Sequence, residues 1–140
     1  MIEYKRKIPT VEEYNYLNEQ VGWGKRENNI VEEALKNTLS AICAYDNEKI
    51  IGSARIIGDK TIFVYIHSVM VIPEYQSKKI GTGIMKEICN IINEYKKLNP
   101  NLRVYLGAVK GKEGFYRKFG FVTREEANLG KGMILKSNID

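Results

Sequence analysis

His67 is the only histidine in the chain, and so the one side chain whose ordinary titration falls near neutral pH. It stands in a run of β-branched and aromatic residues, where a lone imidazole is more often a core residue than a catalyst. Its chemistry would be to accept a proton from a reacting group, directly or through water. Tyr65 and Glu74, on the same stretch, are weaker candidates for that task. A second group of residues lies just downstream: Gln76-Ser77-Lys78-Lys79-Ile80-Gly81-Thr82-Gly83. A glycine-containing turn that opens a helix presents several unpaired backbone N–H groups and the positive end of the helix dipole to one point. Such a point favours phosphate or pyrophosphate, and Lys78 and Lys79 add formal charge beside it. The stretch lacks the Gly-Lys-Ser/Thr of a P-loop and the third glycine of a dinucleotide fingerprint. Cys43 and Cys89 show no metal-ligand spacing, and no metal site is expected.

These residues need a scaffold. Residues 61–71 suit a buried strand, and Pro73, which cannot join a ladder, should end it near Ile72. From Ile80 the apolar positions Ile84, Ile88, Ile91, Ile92 and Tyr95 recur at helical spacing, predicting a helix with one buried face. Upstream, residues 2–7 form a candidate strand. Thr10 and Glu13 have the spacing of a capping box before Val11, Tyr14, Leu17 and Val21. Gly22-Trp23-Gly24 breaks that helix. Asn29 can cap a second helix, in which Ile30, Ala34, Leu35 and Leu39 could share a face. Residues 40–45 and 50–57 read as a hairpin across a turn at 46–49, and 58–60 turn into the long strand. After the central helix, residues 102–108 read as a strand, 112–118 as a short helix, and 119–123 and 133–136 as final strands. The order β-α-α-β-β-β-α-β-α-β-β implies an α/β (α+β) fold with a mixed, mostly antiparallel sheet and helices on both faces.

The strand–loop–helix stretch resembles the acyl-CoA loop of the GNAT superfamily of N-acetyltransferases. The family pattern is Gln/Arg-x-x-Gly-x-Gly/Ala after a strand ending Val-x-Pro-x-Tyr. Val71-Ile72-Pro73-Glu74-Tyr75-Gln76 matches the approach, and Gln76 and Gly81 match the ends of the motif. Lys79 stands where the family usually has its first Gly, and its Cβ limits both positive φ and close approach to a pyrophosphate. Gly114-Phe115-Tyr116-Arg117-Lys118-Phe119-Gly120-Phe121 matches the family's Phe-Tyr-x-x-x-Gly-Phe segment; by periodicity alone it is an amphipathic helical turn with core aromatics.

The resemblance covers nearly the whole chain and implies one GNAT-like domain over residues 1–140. It implies acetyl-CoA as co-substrate, with its diphosphate over Gln76, Ser77, Lys78, Lys79, Ile80, Gly81, Thr82 and Gly83. The pantetheine arm would pair with the backbone of Val69 and Val71, where an N–H could polarise the thioester carbonyl. Tyr116 would protonate the departing thiolate, and His67 would be the base. The implied partner is a small-molecule amine, an amino sugar or a peptide amine, built against by residues 17–29 and 125–131. In those segments Trp23 could cover the acceptor or anchor its loop, and Glu125 and Glu126 could attract a cationic amine. The resemblance also leaves room for a homodimer.

Composition sets outer bounds on these expectations. At 140 residues the chain suffices for one domain with a core, and 44% hydrophobic with 28% charged residues is a soluble globular composition. No apolar run has transmembrane length and residues 1–6 have no signal-peptide core, so a cytoplasmic protein with reduced cysteines and no membrane partner is expected. The excess of Lys and Arg over Asp and Glu, 22 − 17 = +5, fits an anionic small molecule as well as a nucleic acid. The lysines are scattered without an aromatic platform, which argues against nucleic acid. A GNAT-like domain that binds acyl-CoA as a sensor without turnover is the alternative function.

Overall fold

In the computed structural model, which describes residues 1–138, the chain divides into two compact units, Met1–Leu106 and Gly107–Asp140. The first contains β1 (Ile2–Arg6), α1 (Val11–Gln20), α2 (Asn28–Lys36), β2 (Ser40–Asp46), β3 (Lys49–Gly58), β4 (Phe63–Val71), α3 (Ile80–Leu98) and β5 (Arg103–Leu106). The five strands form one sheet in sequence order, antiparallel except for the parallel pair β4–β5.

Local chemistry accounts for the element ends. Thr10 and Glu13 form the expected capping box at α1. The β2–β3 hairpin turns on Asn47 and Glu48, both at positive φ, as a two-residue turn matched to strand twist requires. The long strand starts at Phe63 rather than Thr61, because the Asp59 carboxylate accepts the N–H groups of Thr61, Ile62 and Phe63 at 2.7–3.0 Å and holds them in a turn. The second helix starts one residue before the expected Asn29 cap, with Glu27 at its N-cap and no side-chain cap. Its buried face is Val31 and Leu35, while Ile30 points out.

Helix α3 buries Ile80, Ile84, Ile88, Ile91, Ile92 and Tyr95, the predicted stripe, together with Met85. Each fully buried isoleucine contributes about 1.5–3 kcal/mol, so this face fixes the helix firmly against the sheet. Gly52 on β3 faces Ile84 of α3, whereas Arg55, three residues on, faces Tyr14 of α1 and Ala34 of α2. Alternation along β3 thus places helices on both faces of the sheet.

In the second unit α4 (Glu113–Arg117) forms as predicted. The strands expected at 119–123 and 133–136 do not: residues 121–123 and 131–135 are irregular, and Lys136–Asn138 is a 3-10 turn. A short apolar run becomes a strand only with a ladder partner, and none is paired to either run among the described residues. Instead the backbone after Thr123 closes on itself through bonds from Ala127, Asn128 and Leu129 to the carbonyls of Thr123, Glu125 and Arg124.

Candidate active site

Strand β4 is paired on both sides for only part of its length. Residues 63–66 pair with 103–106 of β5, and no strand lies on that side of residues 67–71 among the described residues. On the other side the register to β3 slips: Ser53 faces Met70 and Arg55 faces His67, with two residues of β4 opposite one of β3. Ser68, at φ 55°, is the bulged residue. Past the bulge the Ile72 N–H bonds to Ile51 of β3. Alternation then turns the backbone groups of Val71 and Val69 to the open edge. The Val71 carbonyl there accepts the Gln76 side-chain amide at 3.0 Å, which ties the start of the loop to the strand end.

The loop passes through a 3-10 turn at Pro73–Tyr75 and two left-handed residues, Ser77 at φ 68° and Lys79 at φ 63°. Lys79 thus takes the conformation that glycine would adopt freely, and is the N-cap residue of α3 without a side-chain cap. The first-turn N–H groups of Ile80, Gly81 and Thr82 precede the first helical bond, from Gly83 to the Lys79 carbonyl. Ile80 itself is buried and can offer only its backbone. Lys78 lies over the Tyr75 ring, 5.2 Å from its centroid, a cation–π contact. Gly83 has a packing reason for being glycine: a Cβ there would fall 2.2 Å from the Tyr4 ring of β1.

The His67 side chain is exposed on β4, its ring 6.1 Å from that of Tyr65. Its Nδ1 lies 2.9 Å from Ser68 Oγ, which lies 2.8 Å from the Tyr14 hydroxyl. Arg55 donates to that hydroxyl at 3.4 Å, to Thr38 Oγ1 at 3.0 Å and to the Ala34 carbonyl at 3.0 Å. Partial desolvation, then the positive charges of Arg55 and Arg26, lower the His67 pKa from its ordinary value and favour the neutral ring. Sequence reasoning missed Tyr14, Arg55 and Ser68. The available signal was Arg55 itself, a lone charge inside an apolar strand.

Tyr116 belongs to the second unit. It is buried, with Phe115 edge-on at 5.0 Å and Phe121 at 6.4 Å. Burial raises its pKa above the ordinary tyrosine value and keeps the phenol protonated. Glu126 is bound up rather than open to a cation: it pairs with Arg117 at 2.6 Å and accepts from Thr123, and its pKa falls to about 2, Arg117 being the main cause. In the first unit, Asn15 bonds both backbone groups of Arg26, and the Asn18 carbonyl accepts from Trp23 and Gly24. The Trp23 loop is therefore anchored through its backbone, and its indole is 48% exposed. No cluster of three His, Cys, Asp or Glu side chains suited to a metal occurs among the described residues.

The family model for the acetyltransferase (GNAT) domain matches residues 38–123, the part that contains β4, the loop, α3 and Tyr116. The chain belongs to the GNAT family. This GNAT chain is 31% identical over 120 residues to the N-acetyltransferase ycf52-like protein of Prochlorococcus marinus, covering 83% of its own length. It spans 64% of that relative's length. Among solved structures, a "probable acetyltransferase" of meticillin-resistant Staphylococcus aureus has a TM-score of 0.85 at 30% identity, over 97% of this chain and 99% of that one. A GNAT family acetyltransferase of Streptococcus pneumoniae has a TM-score of 0.78 at 29% identity, over 96% and 97%.

Proposed function

We propose that this GNAT chain transfers an acetyl group from acetyl-CoA directly to a primary amine of a small molecule, an amino sugar or a peptide. One observation carries the reading: the half-open strand β4 runs straight into a left-handed loop and an uncapped helix N-terminus. An open strand edge suits an amide-bearing arm, and convergent N–H groups with Lys78 and Lys79 suit a diphosphate. The residues present therefore fit acetyl-CoA, which would supply the thioester. In this proposal residues 1–140 act as one acetyltransferase domain. Val69 and Val71 orient the arm, residues 76–83 hold the diphosphate, and Tyr116 gives its proton to the leaving thiolate. His67 is the side chain of β4 that meets the acceptor, and its part depends on which ring nitrogen carries the proton.

No acyl-enzyme is expected. The buried Cys43 thiol is pushed up to about 12, mainly by burial, and donates to the Lys7 carbonyl. Burial also raises Cys89, so neither thiol is an activated nucleophile. Both cysteines are unpaired, which fits a cytoplasmic setting. No helix among the described residues is long and apolar enough to cross a membrane. The sensor alternative rests on Lys79 and on the unassigned base, and the left-handed φ of Lys79 answers the conformational part of the objection to a side chain there.

The test is amine-dependent release of free CoA thiol over a panel of amines, with initial-rate patterns. Intersecting patterns are expected, and ping-pong patterns would overturn direct transfer.

Lys79 supplies a second check. A left-handed conformation costs a non-glycine residue about 1–2 kcal/mol, so Lys79→Gly should leave the fold intact or stabilise it modestly. Calorimetry at two ionic strengths should find the acetyl-CoA affinity changed by less than about tenfold, ~1.4 kcal/mol. A salt-dependent loss of about a hundredfold would instead make the Lys79 charge a principal phosphate contact.

A further inference from the structure

The part a histidine plays is settled by the partner of each ring nitrogen. Here one nitrogen has a partner whose own protons are accounted for. Tyr14, Arg55 and Ser68 are all buried, at 6%, 7% and 5% exposure, so their hydrogen bonds are not freely exchanged with water. The Arg55 guanidinium can only donate, and it places an N–H on the Tyr14 oxygen. The phenol proton is then available for Ser68 Oγ, 2.8 Å away. The Ser68 proton in turn has His67 Nδ1 as its acceptor at 2.9 Å. With this direction every proton in the chain has a partner. Run the other way, with Nδ1–H donating to Ser68, a buried hydroxyl proton is left without an acceptor, which is the costlier arrangement.

We infer that Arg55, Tyr14 and Ser68 are positioning residues that hold neutral His67 with its proton on Nε2, so that the ring donates a hydrogen bond to the acceptor substrate instead of removing its proton. This rests on the proposed acetyl transfer only for the identity of the substrate. A second proton, placed on Nδ1, would force Ser68 to turn its own proton away and would set an imidazolium near Arg55 and Arg26. The groups around the ring and its Ser68 partner are Tyr14 from α1, which bonds Ser68, Arg55 from β3, Arg26 from the loop before α2 and Tyr65 from β4. No carboxylate among the described residues pairs or bonds with it. In the transfer, the amine nitrogen bonds to the acetyl carbon as the carbon–sulfur bond breaks. The amine's surplus proton leaves to water, Tyr116 protonates the thiolate, and the Tyr116 phenolate regains a proton from water. The acceptor is accordingly an amine that also carries a hydrogen-bond acceptor, such as a hydroxyl or carboxylate oxygen, within reach of Nε2.

Because His67 is the only histidine, a long-range proton–nitrogen correlation spectrum of the ¹⁵N-labelled protein reports its ring alone. The expected spectrum has a bare Nδ1 and a protonated Nε2, with a titration midpoint below that of an ordinary histidine. Ser68→Gly, which suits the φ of 55°, should give mixed tautomers and raise the midpoint. Tyr14→Phe should act in the same direction. A protonated Nδ1 in the native protein, or a Ser68→Gly spectrum identical to it, would overturn the assignment. Kinetically, His67→Ala should lower kcat/KM by roughly tenfold, the effect of one neutral hydrogen bond, and His67→Gln should restore most of it by supplying a donor near Nε2. A loss of about 10²-fold or more in both variants would make His67 a base and refute the donor role. The spectra need no substrate, so a failed transfer assay and a failed tautomer assignment are separate results.

Discussion

Replacing Tyr116 by phenylalanine is expected to lower kcat by about 10²–10⁴-fold while leaving acetyl-CoA affinity nearly unchanged, the usual scale of a lost general acid. The substitution removes one oxygen from a ring at 9% exposure that is set edge-on to Phe115 and Phe121, so the aromatic packing survives. In the proposed reaction, what is lost is the proton for the thiolate. Burial holds the phenol above its ordinary pKa, so it stays protonated at neutral pH and into the alkaline range. The falling limb of the kcat–pH profile should therefore lie above the ordinary tyrosine value of about 10 and vanish in the phenylalanine variant. Steady-state kinetics with calorimetric binding measures both quantities. A variant as fast as the native protein would take the acid role away from Tyr116.

Gly52→Ala should destabilise the sheet beside the open edge of β4. Its Cβ would meet the Met70 carbonyl oxygen at 2.6 Å and Ile84 Cδ1 at 2.9 Å. The first is backbone in the β3–β4 ladder and cannot swing aside, and the second belongs to the buried face of α3. Relief requires β3 to separate from β4 where Gly52 pairs with Val71, next to the open edge and the loop. Overpacking of this kind costs about 1–3 kcal/mol, and the backbone contact places it at the upper end. Urea unfolding should show a lower midpoint at an unchanged slope. Acetyl-CoA binding should weaken with it, since the strand end and α3 are displaced together. An unchanged midpoint would mean that the sheet yields here far more easily than its packing implies.

The parts of the molecule governed by local periodicity were legible before any coordinates. The Ile80–Tyr95 stripe, the Thr10–Glu13 capping box and the Asp46–Lys49 hairpin each depend on neighbours close in sequence. The loop was legible for the same reason, because strand, turn and helix start are contiguous. Where a distant partner decides, sequence was silent. Nothing in His-Ser-Val announces that Ser68 bulges, since the bulge exists only relative to β3. Arg55 and Tyr14 are 41 residues apart and meet only through the packing of α1 on the sheet. The strands expected at 119–123 and 133–136 failed because β-branched composition does not provide a partner strand. Glu126 looked open to a cation until Arg117 was found beside it.

In the proposed reaction this chain moves acetyl from acetyl-CoA to an amine without a covalent enzyme intermediate. Its most direct measurement is free-thiol release from acetyl-CoA over a panel of amines, with the mass of each acceptor recorded before and after. Amine-dependent thiol release is expected, matched one for one by an acetylated acceptor, with the protein's own mass unchanged. Confirmed acetyl-CoA binding with no acetylated product from any amine, or an acetylated protein that passes its acetyl group on, would contradict it.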